Sequence, residues 1–220
     1  MNPQITKMNE SEKFKEYYKE DSITDNYDKQ REGNIYRKQK RQKELQIFLK
    51  LLNKKDGEKV LEIGCSSGFL TEQLGEVTAI DTSKNMLKIA QQKNLKATVL
   101  EADMFKLPFK NNSFDKVITM RVWNHLNKED LKKALKEVRR VLKPNGILVF
   151  DIEEKNWLRR FINFFYKRIF EVTGFKVHQY GWIEIQMILY DEDFSLDAWK
   201  LLEHKIGKQI VLKCKTKKLI

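Results

Sequence analysis

The sequence predicts an open α/β sheet, largely parallel, and three observations predict it. VLEIGCSSGFL, residues 60–70, reads as a strand that stops at Gly64, turns through small residues and restarts as a helix. Short apolar segments at residues 77–81, 97–100, 114–120 and 147–150 alternate with helical patterns, the order that builds a parallel sheet covered by helices. Two of these segments, VTAID and ATVLEAD, run into carboxylates. Sheets of this kind hold ligands outside the carboxyl ends of their strands, so the chemistry is to be sought at the strand tips.

At 220 residues the chain has the size of one α/β domain with some extra, enough to bury most of its apolar surface. It divides into a polar N-terminal cap segment, residues 1–33, and a domain of residues 34–220. That domain has a ligand-binding core over about 54–152 and a substrate-side part over 153–220. No apolar run reaches the roughly twenty residues of a membrane span, and the N-terminus lacks the apolar centre of a signal peptide. A cytoplasmic location is expected. Two cysteines, Cys65 and Cys214, form neither a disulfide framework nor a metal-ligand set, so no metal is expected.

The formal net charge of +12 is unevenly spread. Residues 58–103 carry 5 basic and 7 acidic side chains, whereas residues 104–150 carry 11 basic and 4 acidic. That excess reads either as a solvated lysine surface or as an RNA or lipid footprint. The sequence has no arginine-rich run or aromatic RNA-binding motif.

Taken in order, residues 1–33 are charged and punctuated, with Phe14, Tyr17, Tyr18 and Tyr27 spaced for one-sided packing, as a cap or a surface helix. Over residues 34–52, Ile35, Leu45, Ile47, Phe48, Leu51 and Leu52 form a helical stripe that packs ahead of the first strand. Val60, Leu61 and Ile63 then suit a strand buried on both faces, and Gly64 and Gly68 leave the backbone open to a ligand. A helix over 69–74 closes at Gly75. The second strand ends on Asp81, seventeen residues beyond Gly64, where a carboxylate accepts from both hydroxyls of a ribose. Alternatively, Asp81 or Ser83 caps a helix over 84–92.

The third strand leads into Glu101, Ala102 and Asp103, and the fourth covers residues 114–120. A periodic helix over 131–142 stops at Pro144-Asn145-Gly146, and the fifth strand starts at once. In residues 157–169 an apolar side of Trp157, Phe161, Phe165 and Ile169 opposes Arg159, Arg160 and Lys167. Such a helix roofs a pocket, packs on a core or lies on a membrane. Residues 183–190 and a hairpin turning at 205–209 supply the last strands, with 194–203 either helix or strand.

The glycine turn separates the nucleotide classes. A dinucleotide fingerprint needs glycines in a G-x-G-x-x-G frame, and this chain offers Gly64, Ser66 and Phe69. Glu62, Gly64, Ser66 and Gly68 instead resemble the (D/E)-x-G-x-G-x-G motif I of class I S-adenosylmethionine-dependent methyltransferases. Ser66 departs from that pattern by placing a Cβ beside the cofactor. FDKVITMRVWNHL resembles motif IV, and LPF at 107–109 and ALKEVRRVLKPNGILVF are similar to further family segments, those of the type 11 group.

This resemblance implies a Rossmann-like, doubly wound, seven-stranded mixed sheet with an antiparallel last strand and an N-terminal helical cap. The implied cofactor is S-adenosylmethionine, leaving S-adenosylhomocysteine (SAH) as product. The implied cofactor contacts are Glu62, Gly64, Cys65, Ser66, Gly68, Asp81, Thr82, Met86, Asp103, Met104, Thr119, Met120 and Arg121. Asp81 takes the ribose, and Asp103 and Met104 the adenine. Tyr27, beside Asp28, and Trp123 and Asn124 are the implied substrate contacts. His125 either accepts a proton from a hydroxyl or amine acceptor or simply packs at a helix start. The sequence contains no (D/N)-P-P-(Y/F) tetrapeptide and no Pro-Cys pair, which removes exocyclic-amine DNA methylation and covalent attack on pyrimidines. The expected function is methyl transfer to a small molecule. An RNA methyltransferase using the basic second half and a non-catalytic binding subunit are the alternatives.

Overall fold

Helix α1 (Tyr27–Arg31) and helix α2 (Ile35–Leu52) precede the first strand, β1 (Val60–Ile63). There follow α3 (Thr71–Leu74), β2 (Thr78–Asp81), α4 (Lys84–Lys93), β3 (Thr98–Glu101), β4 (Phe114–Ile118), α5 (Lys128–Val141) and β5 (Leu142–Glu154). The chain ends in β6 (Gln179–Tyr180), α6 (Trp182–Asp191), β7 (Phe194–His204) and β8 (Gly207–Thr216). This computed structural model describes residues 27–31, 33–155, 178–204 and 207–217. The cap expected before residue 27 and the amphipathic helix expected over 157–169 lie outside the described residues.

The strands form one Rossmann-like mixed sheet in the order β3-β2-β1-β4-β5-β8-β7. Strands β1 to β5 pair in parallel, and β8 runs antiparallel to both of its neighbours, β5 and β7. The seven-stranded path and its antiparallel last strand thus match the expectation, and the two-residue β6 adds a short parallel partner to the end of β5. Winding runs outward from β1 through β2 to β3 and outward the other way through β4 and β5. The reversal between β1 and β4 is the topological switch point, where sheets of this kind open a crevice.

Strand alternation sorts the core into two layers. Leu61 and Ile63 of β1 join Val117, Leu148 and Phe150 against Leu131, Leu135 and Val138 of α5 and Ile185 and Ile188 of α6. On the opposite face Val60, Ile118 and Val149 meet Leu45, Phe48 and Leu52 of α2. Helix α2 begins at Asn34, whose side chain accepts the Arg37 N–H at 2.8 Å, and stops at Asn53 in a left-handed conformation. Among the described residues no helix is long and apolar enough to cross a membrane.

Three elements differ from the expectation. Residues 183–190 are helical rather than extended, because Ile185, Ile188 and Leu189 share the face that packs on the core, while Ile183 and Met187 are exposed. The fifth strand begins at Leu142 and passes through Pro144-Asn145-Gly146 before the main run, with an irregular register against β4 between Phe114 and Lys116. The helix expected over 69–74 is shortened to α3, four residues, by the turn that precedes it. The hairpin is present, and residues 194–203 are strand.

Trp123 is 1% exposed and its ring packs at 4.9 Å on Phe150 in the α5 layer. Trp123→Ala is therefore expected to lower the unfolding free energy by about 3–5 kcal/mol in urea titration, the loss typical of a buried aromatic.

Candidate functional site

At the end of β1 the chain makes a tight turn pinned to β2: the N–H groups of Gly64 and Cys65 both donate to the Ile80 carbonyl, at 2.8 and 3.0 Å. Gly64, Ser66 and Gly68 take φ values of 72°, 49° and 81°. A side chain at Gly64 would strike Val122, beyond the tip of β4, and one at Gly68 would come within 2.7 Å of the Ala90 Cα. Both glycines therefore let neighbouring elements close up, β4 in one case and α4 in the other. Ser66 has a Cβ in the same left-handed region, a conformation that costs roughly 1–2 kcal/mol for a non-glycine residue.

What holds Ser66 there is Asp81. Its Oδ2 accepts the Ser66 N–H and its Oδ1 the Ser83 N–H, both at 2.9 Å. The helix cap falls instead to Ser83, whose Oγ accepts the Met86 N–H at 3.3 Å. The Thr82 N–H is a third backbone donor to this carboxylate, which has about four lone-pair sites and so keeps room for another donor. Burial raises the Asp81 pKa, opposed by the N–H groups of Ser83 and Ser66. Glu62, at the end of β1, is 3% exposed and accepts the Thr71 hydroxyl at 2.7 Å. Burial, reinforced by the nearby charge of Asp81, pushes its carboxyl up to about 8.

These carboxylates line one pocket with the β4 tip and the cap. Arg121 has φ 61°, and its N–H donates at 2.6 Å to Asp151, which Gln209 also holds. Its guanidinium pairs at 2.5 Å with Glu44, fully buried on α2. From α1, Asp28 accepts the Ser67 hydroxyl at 2.8 Å and the Lys93 ammonium at 2.6 Å, and it pairs with Arg41 at 3.3 Å. Asp28 thus joins α1 to the glycine turn, α4 and α2 together. The Arg41 guanidinium lies 3.7 Å over the Phe69 ring.

Of the sequence-predicted residues, the pocket is lined by Tyr27, Glu62, Gly64, Cys65, Ser66, Asp81, Thr82, Met86, Met104, Met120 and Arg121. Gly68 lies behind the turn against α4. Asp103 is outside the lining, its Oδ1 accepting the Phe105 N–H at 3.0 Å as a turn former does. Thr119 is buried, with its N–H on the Val149 carbonyl. Trp123, Asn124 and His125 form a 3-10 turn outside the lining, Trp123 in the core and the Asn124 carbonyl accepting the His178 N–H. Sequence reasoning missed Arg41, Ser67, Phe69, Ala102 and Val122. The second serine of GCSSG was the only signal among them; packing brings in the rest.

A family model described as a methyltransferase domain matches residues 61–150. An uncharacterized protein of Methanocaldococcus jannaschii is 42% identical over 140 residues, 63% of this chain and 51% of that protein. Demethylmenaquinone methyltransferase of Staphylococcus aureus is 37% identical over 111 residues, 46% of this chain and 45% of the enzyme. The chain thus spans about half the length of these relatives. Among solved structures, magnesium protoporphyrin IX methyltransferase from Synechocystis PCC 6803 with bound SAH superposes with a TM-score of 0.76 at 19% identity, over 94% of this chain and 100% of that one. At that identity the likeness is one of fold.

The raised Glu62 carboxyl links stability to pH. The folded protein keeps a proton that the unfolded chain releases near pH 4.5, so this stabilisation is complete below 4.5 and is lost as pH rises through about 8. Asp151, pushed up to about 6 by burial, adds a smaller loss above its ordinary 3.8. The thermal midpoint of the ligand-free protein is expected to fall across that range, and Glu62→Gln to flatten the fall; an equal slope in the variant would assign it elsewhere.

Proposed function

We propose, from the premise that this chain carries a class I methyltransferase domain of the type 11 group, that it transfers a methyl group from S-adenosylmethionine to a small molecule. One observation carries the reading: the Asp81 carboxylate, fixed by Ser66 and Ser83, borders the pocket at the switch-point crevice. A ribose needs an acceptor with spare lone pairs there, and Asp81 has them. Ile80, Ala102 and Met104 offer apolar walls for a purine on the β3 side, and Met120 and Arg121 border the β4 side.

The bound cofactor supplies a methyl group already activated on a positively charged sulfur. The protein's task is to aim it, since in-line positioning and exclusion of water supply on the order of 7 to 11 kcal/mol when geometry is well fixed. Tyr27 and Arg41 cover the pocket from α1 and α2 and so restrict water. No base is assigned.

Two considerations favour a small acceptor. Tyr27 of α1 and Arg41 of α2 line the site, and six of the eleven basic side chains of residues 104–150 are ion-paired, among them Lys116 with Glu58, Lys132 with Asp191, Lys143 with Asp115 and Arg140 with Glu137. Cations so committed offer little to a phosphate backbone. The name of the staphylococcal relative also points to a small acceptor.

Calorimetric titration with S-adenosylmethionine and SAH should show binding of both, and Asp81→Ala should weaken it at least tenfold, about 1.4 kcal/mol. Absence of binding to either compound would overturn the reading. Asp28→Ala should speed SAH release several-fold in stopped-flow chase while shifting the urea midpoint little, because it loosens α1, whose Tyr27 lines the pocket, and removes no buried core side chain.

A further inference from the structure

Of the three left-handed residues in the turn after β1, Gly64, Ser66 and Gly68, only Ser66 carries a side chain. The two glycines have no room for one, since a Cβ would strike Val122 in one case and Ala90 in the other. At residue 66 the turn opens on the pocket instead, and Ser66 is half-buried there. Glycine would adopt its φ of 49° without strain, so the serine is not what the turn asks for. A side chain held in this region is a pointer to function. The adjacent Ser67 has a structural employment, its buried hydroxyl donating to Asp28. The Ser66 hydroxyl has only a poor one: it rests on the Met86 sulfur, Oγ to Sδ 3.7 Å, and a thioether is a weak acceptor.

Resting on the cofactor reading above, we propose that Ser66 is a specificity-determining residue for the sugar: when the adenosyl group enters, the Ser66 hydroxyl leaves the Met86 sulfur and donates to one of the ribose hydroxyl oxygens that meet Asp81. The backbone need not move, because the Ser66 N–H stays on Asp81 Oδ2 while rotation about Cα–Cβ carries the hydroxyl from one staggered position to another. Met86 need not move either, since its N–H is held by Ser83 at the start of α4. A carboxylate only accepts, so Asp81 alone takes any donor that reaches it. With Ser66 donating to the same oxygen, the group that fits must donate and accept at once, which is the signature of a hydroxyl. A glycine at residue 66 would leave that second half of the recognition to water.

The test is calorimetric titration of the wild-type chain, Ser66→Ala and Ser66→Gly with SAH and with its 2′-deoxy and 3′-deoxy analogues. Ser66→Ala keeps the Cβ and removes only the hydroxyl, so it should weaken SAH binding about fivefold, the size of one ordinary hydrogen bond. Ser66→Gly should show a similar loss although its backbone suits the turn better. One deoxy analogue should bind the wild-type chain and both variants alike, and that analogue names the sugar hydroxyl that Ser66 meets; the other should keep the fivefold difference. A loss of the same size with all three ligands would make Ser66 a structural residue only and overturn the inference. Unchanged or tighter SAH binding in either variant would overturn it too, and in all these cases the cofactor reading stands. Failure of the wild-type chain to bind SAH overturns both. Because glycine is at ease in this turn, the comparison does not depend on a variant that fails to fold.

Discussion

The bridge from the Asp81 carboxylate to the backbone N–H groups of Ser66 and Ser83 is the contact on which the site depends. It ties the end of β2 to the turn after β1 and to Ser83, the N-cap residue of α4. Hydrogen bonds to an ionised acceptor contribute about 1.5–3 kcal/mol each, enough to offset the left-handed conformation of a serine in that turn. Without the bridge the turn would be free to relax away from the crevice. With it, the pocket floor is fixed before any ligand arrives, and ligand binding need not order the backbone.

The β4 half of the pocket is organised by a second set of buried polar contacts. Arg121 sits one turn of chain past β4 with its backbone N–H on Asp151 of β5 and its guanidinium on Glu44 of α2. Gln209 of β8 completes the set by donating to Asp151 at 2.6 Å. One arginine thereby connects the sheet's antiparallel strand, its central parallel strands and the helix that covers them. Breaking such a buried pair by removing one partner leaves a charge uncompensated, so these residues constrain each other more strongly than surface ion pairs do. Helix α1 is tied in through the half-exposed Asp28, a pairing more open to water than the buried Arg121–Glu44 contact.

Much of this was legible in the sequence, for reasons that are local. The parallel strands are short apolar runs ended by a glycine or a carboxylate, and the helix α5 carries its stripe at regular spacing from Leu131 to Val141. What was not legible depends on packing between distant parts. In residues 183–190, Ile183 and Ile185 alternate with Glu184 and Gln186 as a strand would, and only contact with Phe194 and the α5 layer selects the helical face. Trp123, Asn124 and His125 follow a strand tip and so look chemical, yet a 3-10 turn carries Trp123 into the core. Arg41 lies more than twenty residues before the glycine turn, and nothing local marks it out from the other cations of α2; its place over Phe69 follows from how that helix packs. Asp103 shows the limit of reading a strand-end carboxylate, because the same residue type also closes turns.

The charged groups of the pocket differ in how they are partnered. Its lining brings together carboxyls from β1 and β2, Glu62 and Asp81, and guanidiniums from α2 and beyond β4, Arg41 and Arg121. The guanidiniums are already partnered by Asp28 and Glu44, so their attraction for an anion is attenuated, whereas neither Glu62 nor Asp81 has a salt-bridge partner among the described residues. At an effective dielectric near 20, a unit charge about 4 Å from an unpaired carboxylate is worth roughly 4 kcal/mol, and the same charge beside a compensated pair much less. Burial raises the pKa of both carboxyls, so this pull is weaker while they hold a proton. A ligand's positive centre is therefore held more favourably beside β1 and β2 than beside either paired guanidinium.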